Sequence, residues 1–376
     1  MRFVRACLLL SVYSFLTVIS TDYAARLLAD KPLNFRTNFI LERDNRRPGN
    51  LFTFDKELGW RNNSDTSFVD FKERYFGFKV DYHFFRVTLD QLGYRLNPNS
   101  WKINLRANKG PILAIGDSFT FGDEVSDDET WPHHLQAIQK VRVINGGVNS
   151  YGLDQIFLKL SRDLSLIKPK LVVLSTMSNT LKRTTVTHKI SSSSCYTRGK
   201  PFFLKNGGAL SLRERDEREE KKENRLKPIR SILGHSFILH TFFSNWFPRF
   251  WSCATPYENY PSHMITKQSF QEVSCLILEE IRKITRQNKA KLMVLGQAYW
   301  SPRKEKYERD QDLAIFLNCA EKLDIPTINI DSTLEEIYLT NYNQYQALFF
   351  PGGHMTNQGN ILVAQKINRL LSDLQN

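Results

Sequence analysis

The chemistry of this chain gathers around one serine. Ile112-Leu113-Ala114-Ile115 is a short apolar run bounded by Pro111 and Gly116, and it ends in Gly116-Asp117-Ser118. Four residues are too few for a helix, so the run is expected to be a buried parallel strand. In open α/β sheets ligands bind beyond the carboxyl ends of strands, which is where Ser118 falls. A serine on such a strand-to-helix turn suits nucleophilic attack, which also needs a base for its proton and donors for the oxyanion. The same tripeptide makes ordinary turns too, with Gly supplying unusual dihedrals and Asp or Ser capping the next helix. Nearby polar clusters read more plainly. The acids from Asp123 to Glu129 match no calcium-loop spacing and are expected to form a solvated turn with a helix N-cap at Asp128. His133 and His134 occupy adjacent positions on the helix that Trp131-Pro132 opens, face different directions and read as structural.

Four segments then follow in a telling order: GDSFTFG (116–122), VINGGVNSYGLDQ (143–155), LVVLSTMSNT (171–180) and FFPGGHMTNQGN (349–360). Together they resemble the four blocks of the SGNH, or GDSL-type, hydrolases. The resemblance extends over roughly residues 50 to 376, because DKELGWRNNSD, FRVTLDQLGYR and DDETWPHHLQ are typical of one exported bacterial branch. It implies Ser118 as nucleophile and His354 as base. It also implies an oxyanion hole made by the Ser118 N–H, the N–H at Ser150 and the side-chain amide of Asn179. Without that order, His354 is a loop histidine among glycines and Asn179 caps the turn after its strand. Two positions depart from the family pattern. Ser150 stands where a glycine is usual; a backbone N–H survives, so the hole persists if the local φ/ψ suits serine. Pro351 stands where an Asp, three residues before the histidine, usually orients the imidazole. A backbone carbonyl or another acid, with Asp331 at a strand end as the candidate, is the expected substitute.

The elements that must position these residues alternate. Val141–Ile144, Leu171–Leu174, Leu292–Leu295 and Thr327–Ile330 read as strands; Gly152–Ile167, Phe270–Arg286, Gln311–Lys322 and Asn360–Leu371 read as helices. Strand, helix, strand at this spacing argues for right-handed parallel crossovers. The expectation is a flavodoxin-like three-layer α/β/α sandwich over residues 111–376, the fold the resemblance also implies. Residues 26–110 read as an irregular extension with short strands near Leu58-Gly59-Trp60 and Phe85-Arg86-Val87-Thr88. The pattern breaks over about 181–266, read as an insertion: a serine-rich loop (Ser191–Ser194), an alternating charged run (Arg213–Lys222) that suits a solvated helix face, and an aromatic segment (Phe237–Trp251). That aromatic segment suits plain packing, a lid, a sugar platform or a membrane-facing patch.

The 376 residues, 41% hydrophobic and 24% charged, are enough to bury a sizeable core. The net charge of +13 is spread along the chain without a nucleic-acid motif, so it implies no nucleic-acid partner but a general attraction to anionic surfaces. Arg2 and Arg5 precede the apolar run ACLLLSVYSFLTVIS (6–20), the pattern of a signal peptide or an uncleaved anchor within residues 1–25. Cys7 lies too early in that run to carry a lipid. Export, to the periplasm or another extracytoplasmic space, would permit disulfides among Cys195, Cys253, Cys275 and Cys319. A Cys195–Cys253 bridge would close the insertion, and free buried thiols are the equal alternative. No metal-ligand spacing appears and serine chemistry needs no cofactor. The expected function is an exported esterase acting on acetyl or similar esters of an envelope or extracellular polysaccharide. An O-acyltransferase using the same serine, and a non-catalytic glycan-binding or assembly protein, are the alternatives.

Overall fold

The computed structural model describes residues 2–29, 31, 33, 51–76, 79–98, 110–190, 197–215, 229, 232–247, 266–298 and 307–374. The chain divides into two compact units. One gathers Met1–Arg47, His188–Gly199 and Asp216–Pro261; the other gathers Pro48–Thr187, Lys200–Arg215 and Ser262–Asn376. The second, larger unit carries the residues of chemical interest.

That unit begins with two antiparallel pairs, β1 (Phe52–Asp55) with β2 (Gly59–Asn62) and β3 (Thr66–Phe76) with β4 (Lys79–Leu89). Among the described residues of the stretch expected to be irregular, 51–76 and 79–98 are therefore largely hairpin, with the short strands expected near Trp60 and Phe85–Thr88 lying in β2 and β4. Their register is set by cross-strand partners, which no local pattern announces. The main sheet is built from β5 (Ile112–Ile115), β6 (Val143–Asn145) and β7 (Leu171–Thr176), then, after four further strands outside this sheet, from β12 (Lys291–Gly296) and β13 (Thr327–Asn329). Its order is β13-β12-β7-β5-β6, and every pairing is parallel.

Both faces of this sheet are apolar, and the strand residues alternate between two cores. Leu113, Ile115, Val172, Leu174 and Val294 point to one side, where they join Leu153, Ile156 and Leu160 of α4 (Leu153–Ile167). The same core takes Val273, Ile277 and Ile281 of α7 (Phe270–Gln287) and Leu313 and Phe316 of α8 (Gln311–Lys322). Ile112, Ala114, Val173, Met293 and Leu295 point the other way. They meet Trp131 and Leu135 of α3 (Trp131–Gln139), Leu334 of α9 (Ile330–Thr340), and Val363, Ala364 and Ile367 of α11 (Asn357–Asp373). Helices on both faces of a five-stranded parallel sheet make the three-layer α/β/α sandwich expected from the sequence. A short α10 (Tyr342–Ala347) precedes α11. Between β7 and β12 the chain also returns a hairpin, β10 (Phe202–Asn206) with β11 (Ala209–Arg213), to this unit. Phe203 there packs on Phe157 of α4 at 5.5 Å between ring centres. A disulfide joins Cys275 of α7 to Cys319 of α8; Cys195 and Cys253 lie outside the described residues, as do the serine-rich loop and most of the charged run.

The smaller unit contains α1 (Arg2–Leu28), the short hairpin β8 (His188–Ile190) with β9 (Thr197–Gly199), and α6 (Phe237–Trp246), which is the helical part of the aromatic segment. Asp22 caps α6, accepting hydrogen bonds from the Ser236 hydroxyl at 2.7 Å and the Ile238 N–H at 3.0 Å. Arg26, fully buried, donates to Asp22 and to the His235 carbonyl. Among the described residues no helix is long and apolar enough to cross a membrane.

Candidate active site

Ser118 sits where β5 ends. Asp117 caps the four-residue helix α2 (Ser118–Phe121) by accepting the Phe119 N–H at 3.0 Å, and Gly122, at φ 83°, ends it. Around a half-exposed Ser118 every neighbour from Ile112 to Phe121 is buried. The loops after three adjacent strands are then laced together through Asp117. Its carboxylate accepts from Thr180 Oγ1 at 2.5 Å and from Arg183 Nη1 at 3.4 Å, and Arg183 Nη1 also reaches the Tyr151 carbonyl at 3.3 Å. Thr180 follows Asn179, the exposed second residue of α5 (Ser178–Lys182) beyond β7. Asn179 and Ser118 thus lie at neighbouring strand ends.

The turn after β6 approaches α2 closely. A side chain at Gly147 would place its Cβ 2.2 Å from the Phe121 nitrogen, so only glycine fits. Val148 N–H donates to the Gly116 carbonyl at 3.1 Å. Two residues on, Ser150 adopts φ 66°, the left-handed region that glycine takes freely and serine takes at a cost of roughly 1–2 kcal/mol. Ser150 therefore holds a glycine-like backbone, the local conformation on which its expected N–H role depends.

His354 comes from the other end of the unit. It lies in a tight loop closed by the Phe349–Met355 bridge, by Phe350 N–H to the His354 carbonyl at 2.8 Å, and by Gly353 N–H to the Phe350 carbonyl at 2.8 Å. Its Nε2 is 3.1 Å from Ser118 Oγ and its Nδ1 is 3.0 Å from Glu124 Oε1. An ionised carboxylate only accepts, so Nδ1 carries the proton and Nε2 is left to accept from the serine hydroxyl. The result is a serine–histidine–carboxylate hydrogen-bond relay with Glu124 as its acid member.

This corrects two expectations. The acids after α2 are not a solvated turn: Asp123, Glu124 and Asp127 are buried, and Asp127–Glu129 is a 3-10 turn closed by Ser126 and Glu129. Asp128 is exposed and caps nothing; the N-cap of α3 is Thr130, whose hydroxyl accepts the His133 N–H at 3.3 Å. Nor does Asp331 serve His354. Its carboxylate accepts the Asp310 N–H at 3.0 Å and the Tyr307 hydroxyl, and burial with this bond pushes the Tyr307 hydroxyl well up from its ordinary value. Sequence reading missed Glu124 although the gap at Pro351 called for a carboxylate from elsewhere; the nearest supply to Ser118 was the segment assigned to solvent. Glycine at 352 leaves room for it, since a Cβ there would lie 2.9 Å from Glu124 Oε1.

Asp123 also approaches, with its carboxylate 4.0 Å from His354 Nε2. The donor atoms of Asp123, Glu124 and His354 all lie within 4.8 Å of one another, a spacing that a cation could bridge. Both ring nitrogens are already engaged by Ser118 and Glu124, so we read the cluster as acid–base machinery. His134 Nε2, 2.7 Å from Asn357 Oδ1, ties α3 to α11, in keeping with a structural role.

No protein-family model matches the chain, and no curated protein matches it. Among solved structures it is similar to a putative lipolytic protein of the G-D-S-L family from Desulfitobacterium hafniense DCB-2, with 14% identity over 69% of this chain and 98% of that one, at a TM-score of 0.37. An acetyl xylan esterase, AlAXEase, matches at 12% identity over 69% and 98%, TM-score 0.39. A two-domain esterase active on acetylated mannans matches at 13% over 71% and 51%, TM-score 0.38. The likeness is to GDSL-type esterases at low identity. The functional reading below rests on this chain's own geometry and sequence blocks.

Proposed function

We propose that the chain is an exported serine esterase that removes acyl groups, acetyl foremost, from an envelope or extracellular polysaccharide. The observation that carries this reading is the relay: His354 stands 3.1 Å from Ser118 Oγ with its far nitrogen 3.0 Å from Glu124. Ser118 Oγ attacks the ester carbonyl as His354 Nε2 takes its proton. The oxyanion faces the N–H groups of Ser118 and Ser150 and the Asn179 amide, and losing one such donor costs about 2.7–4 kcal/mol of barrier. Nε2 then protonates the departing sugar alkoxide, and a water activated by the same nitrogen releases the acyl group from Ser118 as the free acid. The apolar N-terminal run and the Cys275–Cys319 bridge support an oxidising compartment outside the cytoplasm. The positive net charge suits a substrate in an anionic envelope.

The first test is labelling of the purified full chain with a fluorophosphonate probe, beside Ser118→Ala and His354→Ala. Labelling of the wild type alone, with all three proteins folded, is the expected result; acetate release from acetylated glycans then ranks substrates. A folded wild type that neither labels nor releases acetate defeats the reading.

A further inference from the structure

We propose that Arg95 and His83 are positioning residues that set the carboxylate of Glu124 against His354, an inference that rests on the serine–histidine reading above. Glu124 needs such support. It holds φ 72°, a conformation that an L residue occupies only when its surroundings insist, and it lies in the short connection between α2 and the 3-10 turn at Asp127.

Arg95 supplies that insistence from within the core. Its side chain is fully buried, and each of its five N–H groups meets an oxygen. Nε donates to Asp127 Oδ1 at 2.9 Å; Nη1 donates to the Phe121 carbonyl at 2.9 Å and to the Gly122 carbonyl; Nη2 donates to the Val125 carbonyl at 2.6 Å and to the Arg86 carbonyl of β4 at 2.9 Å. Two of these acceptors, Gly122 and Val125, belong to the connection itself, and Phe121 and Asp127 flank it, so the contacts fall on both sides of Glu124. The backbone of Arg95 is in turn fixed to the sheet, its N–H donating to the Asn145 carbonyl of β6 at 3.0 Å. A lysine has three donors and no fork, so it cannot replace this set.

His83 holds the middle. A carbonyl only accepts, so its Nε2–H donates to the Glu124 carbonyl, at 2.8 Å. The same ring lies 4.8 Å from the ring of Phe350, whose N–H is bonded to the His354 carbonyl. One imidazole on β4 therefore touches both the acid's backbone and the loop that carries the base. The nucleophile and its acid arrive on a single continuous segment, and the clamp fixes how far that segment stands from His354.

The experiment is a double-mutant cycle on the full chain, with p-nitrophenyl acetate as substrate and the rate of fluorophosphonate labelling as a second readout. His83→Leu is expected to lower kcat about tenfold or more, since small misplacements of catalytic groups cost up to ~10²-fold, while KM stays within about twofold. His83→Gln, which keeps a donor, should recover most of that loss. In a Glu124→Gln background His83→Leu should change kcat by less than about twofold, because the group it positions is already gone. Arg95→Lys should behave likewise; if it does not fold, the His83 cycle decides alone. An equal loss in both backgrounds, or none in either, overturns the inference. Ser118→Ala and His354→Ala separate the two claims: if they keep turnover, or if the wild type has neither turnover nor labelling, the serine–histidine reading falls and this one with it. If they abolish turnover while the cycle shows no coupling, only the positioning role falls.

Discussion

On the proposed mechanism, the acid of the relay decides how much of the serine's reactivity survives. Glu124→Gln keeps the shape of the side chain but offers Nδ1 an ambiguous partner, and kcat for an activated ester should fall by up to ~10⁴-fold, as in serine proteases that lose the equivalent carboxylate. A loss under about tenfold would mean that His354 is oriented by something else. Ser150 gives a second residue-level prediction. Its φ of 66° suits glycine, so Ser150→Gly should keep activity and shift stability by no more than about 1 kcal/mol, strain relief offsetting the added chain entropy. Ser150→Val, with a branched Cβ in that conformation, should destabilise by roughly 1–3 kcal/mol and slow labelling. Equal melting temperatures for the two variants would contradict the strain. Ser118 and His354, which the structure brings into contact, were nameable from the four blocks; the oxyanion roles of Asn179 and Ser150 are expectations drawn from the same blocks. Glu124 was not nameable, because its role is a contact across 230 residues and nothing in the local string Gly122-Asp123-Glu124 distinguishes a buried acid from a solvated one.

At the scale of elements, the five parallel strands and most of their helices were legible because the strands are apolar on both faces and the crossover helices have an apolar stripe between clear breakers; α9, which starts at Ile330 where a strand was expected to end, was not. The β3–β4 hairpin was not, since its pairing depends on a partner strand rather than on its own periodicity. The closeness of the turn after β6 to α2 is also invisible in sequence, and it is testable. Gly147→Ala would force a methyl within 2.2 Å of the Phe121 nitrogen, so either the turn or the nucleophile helix must move. Labelling should slow by about tenfold or more, with a stability loss of roughly 1–3 kcal/mol from overpacking. Wild-type labelling and melting in that variant would show that the two segments are free to separate.

For the molecule as a whole, two cross-links outside the serine–histidine pair hold the larger unit together. The Cys275–Cys319 bridge spans 44 residues and joins two helices of one face; replacing both cysteines by serine should cost about 2–4 kcal/mol while leaving labelling by the folded protein intact. Lys200 and Asp154 form a buried ion pair between the β10–β11 hairpin and the start of α4, where burial pushes the lysine's pKa down and the carboxyl's up. Lys200→Met should destabilise by roughly 3–5 kcal/mol, and adding Asp154→Asn should return part of it, because the penalty lies in the stranded charge. A chemical-denaturation series with no recovery in the double variant would contradict this. The chain order of the relay has one more effect. Ser118 and Glu124 leave the ribosome together, but His354 follows the serine by 236 residues, so on the proposed mechanism a nascent chain stays chemically silent until its C-terminal end is made. On the proposed function, esters met before that point go untouched, and fluorophosphonate reactivity would double as a sensor of completed folding.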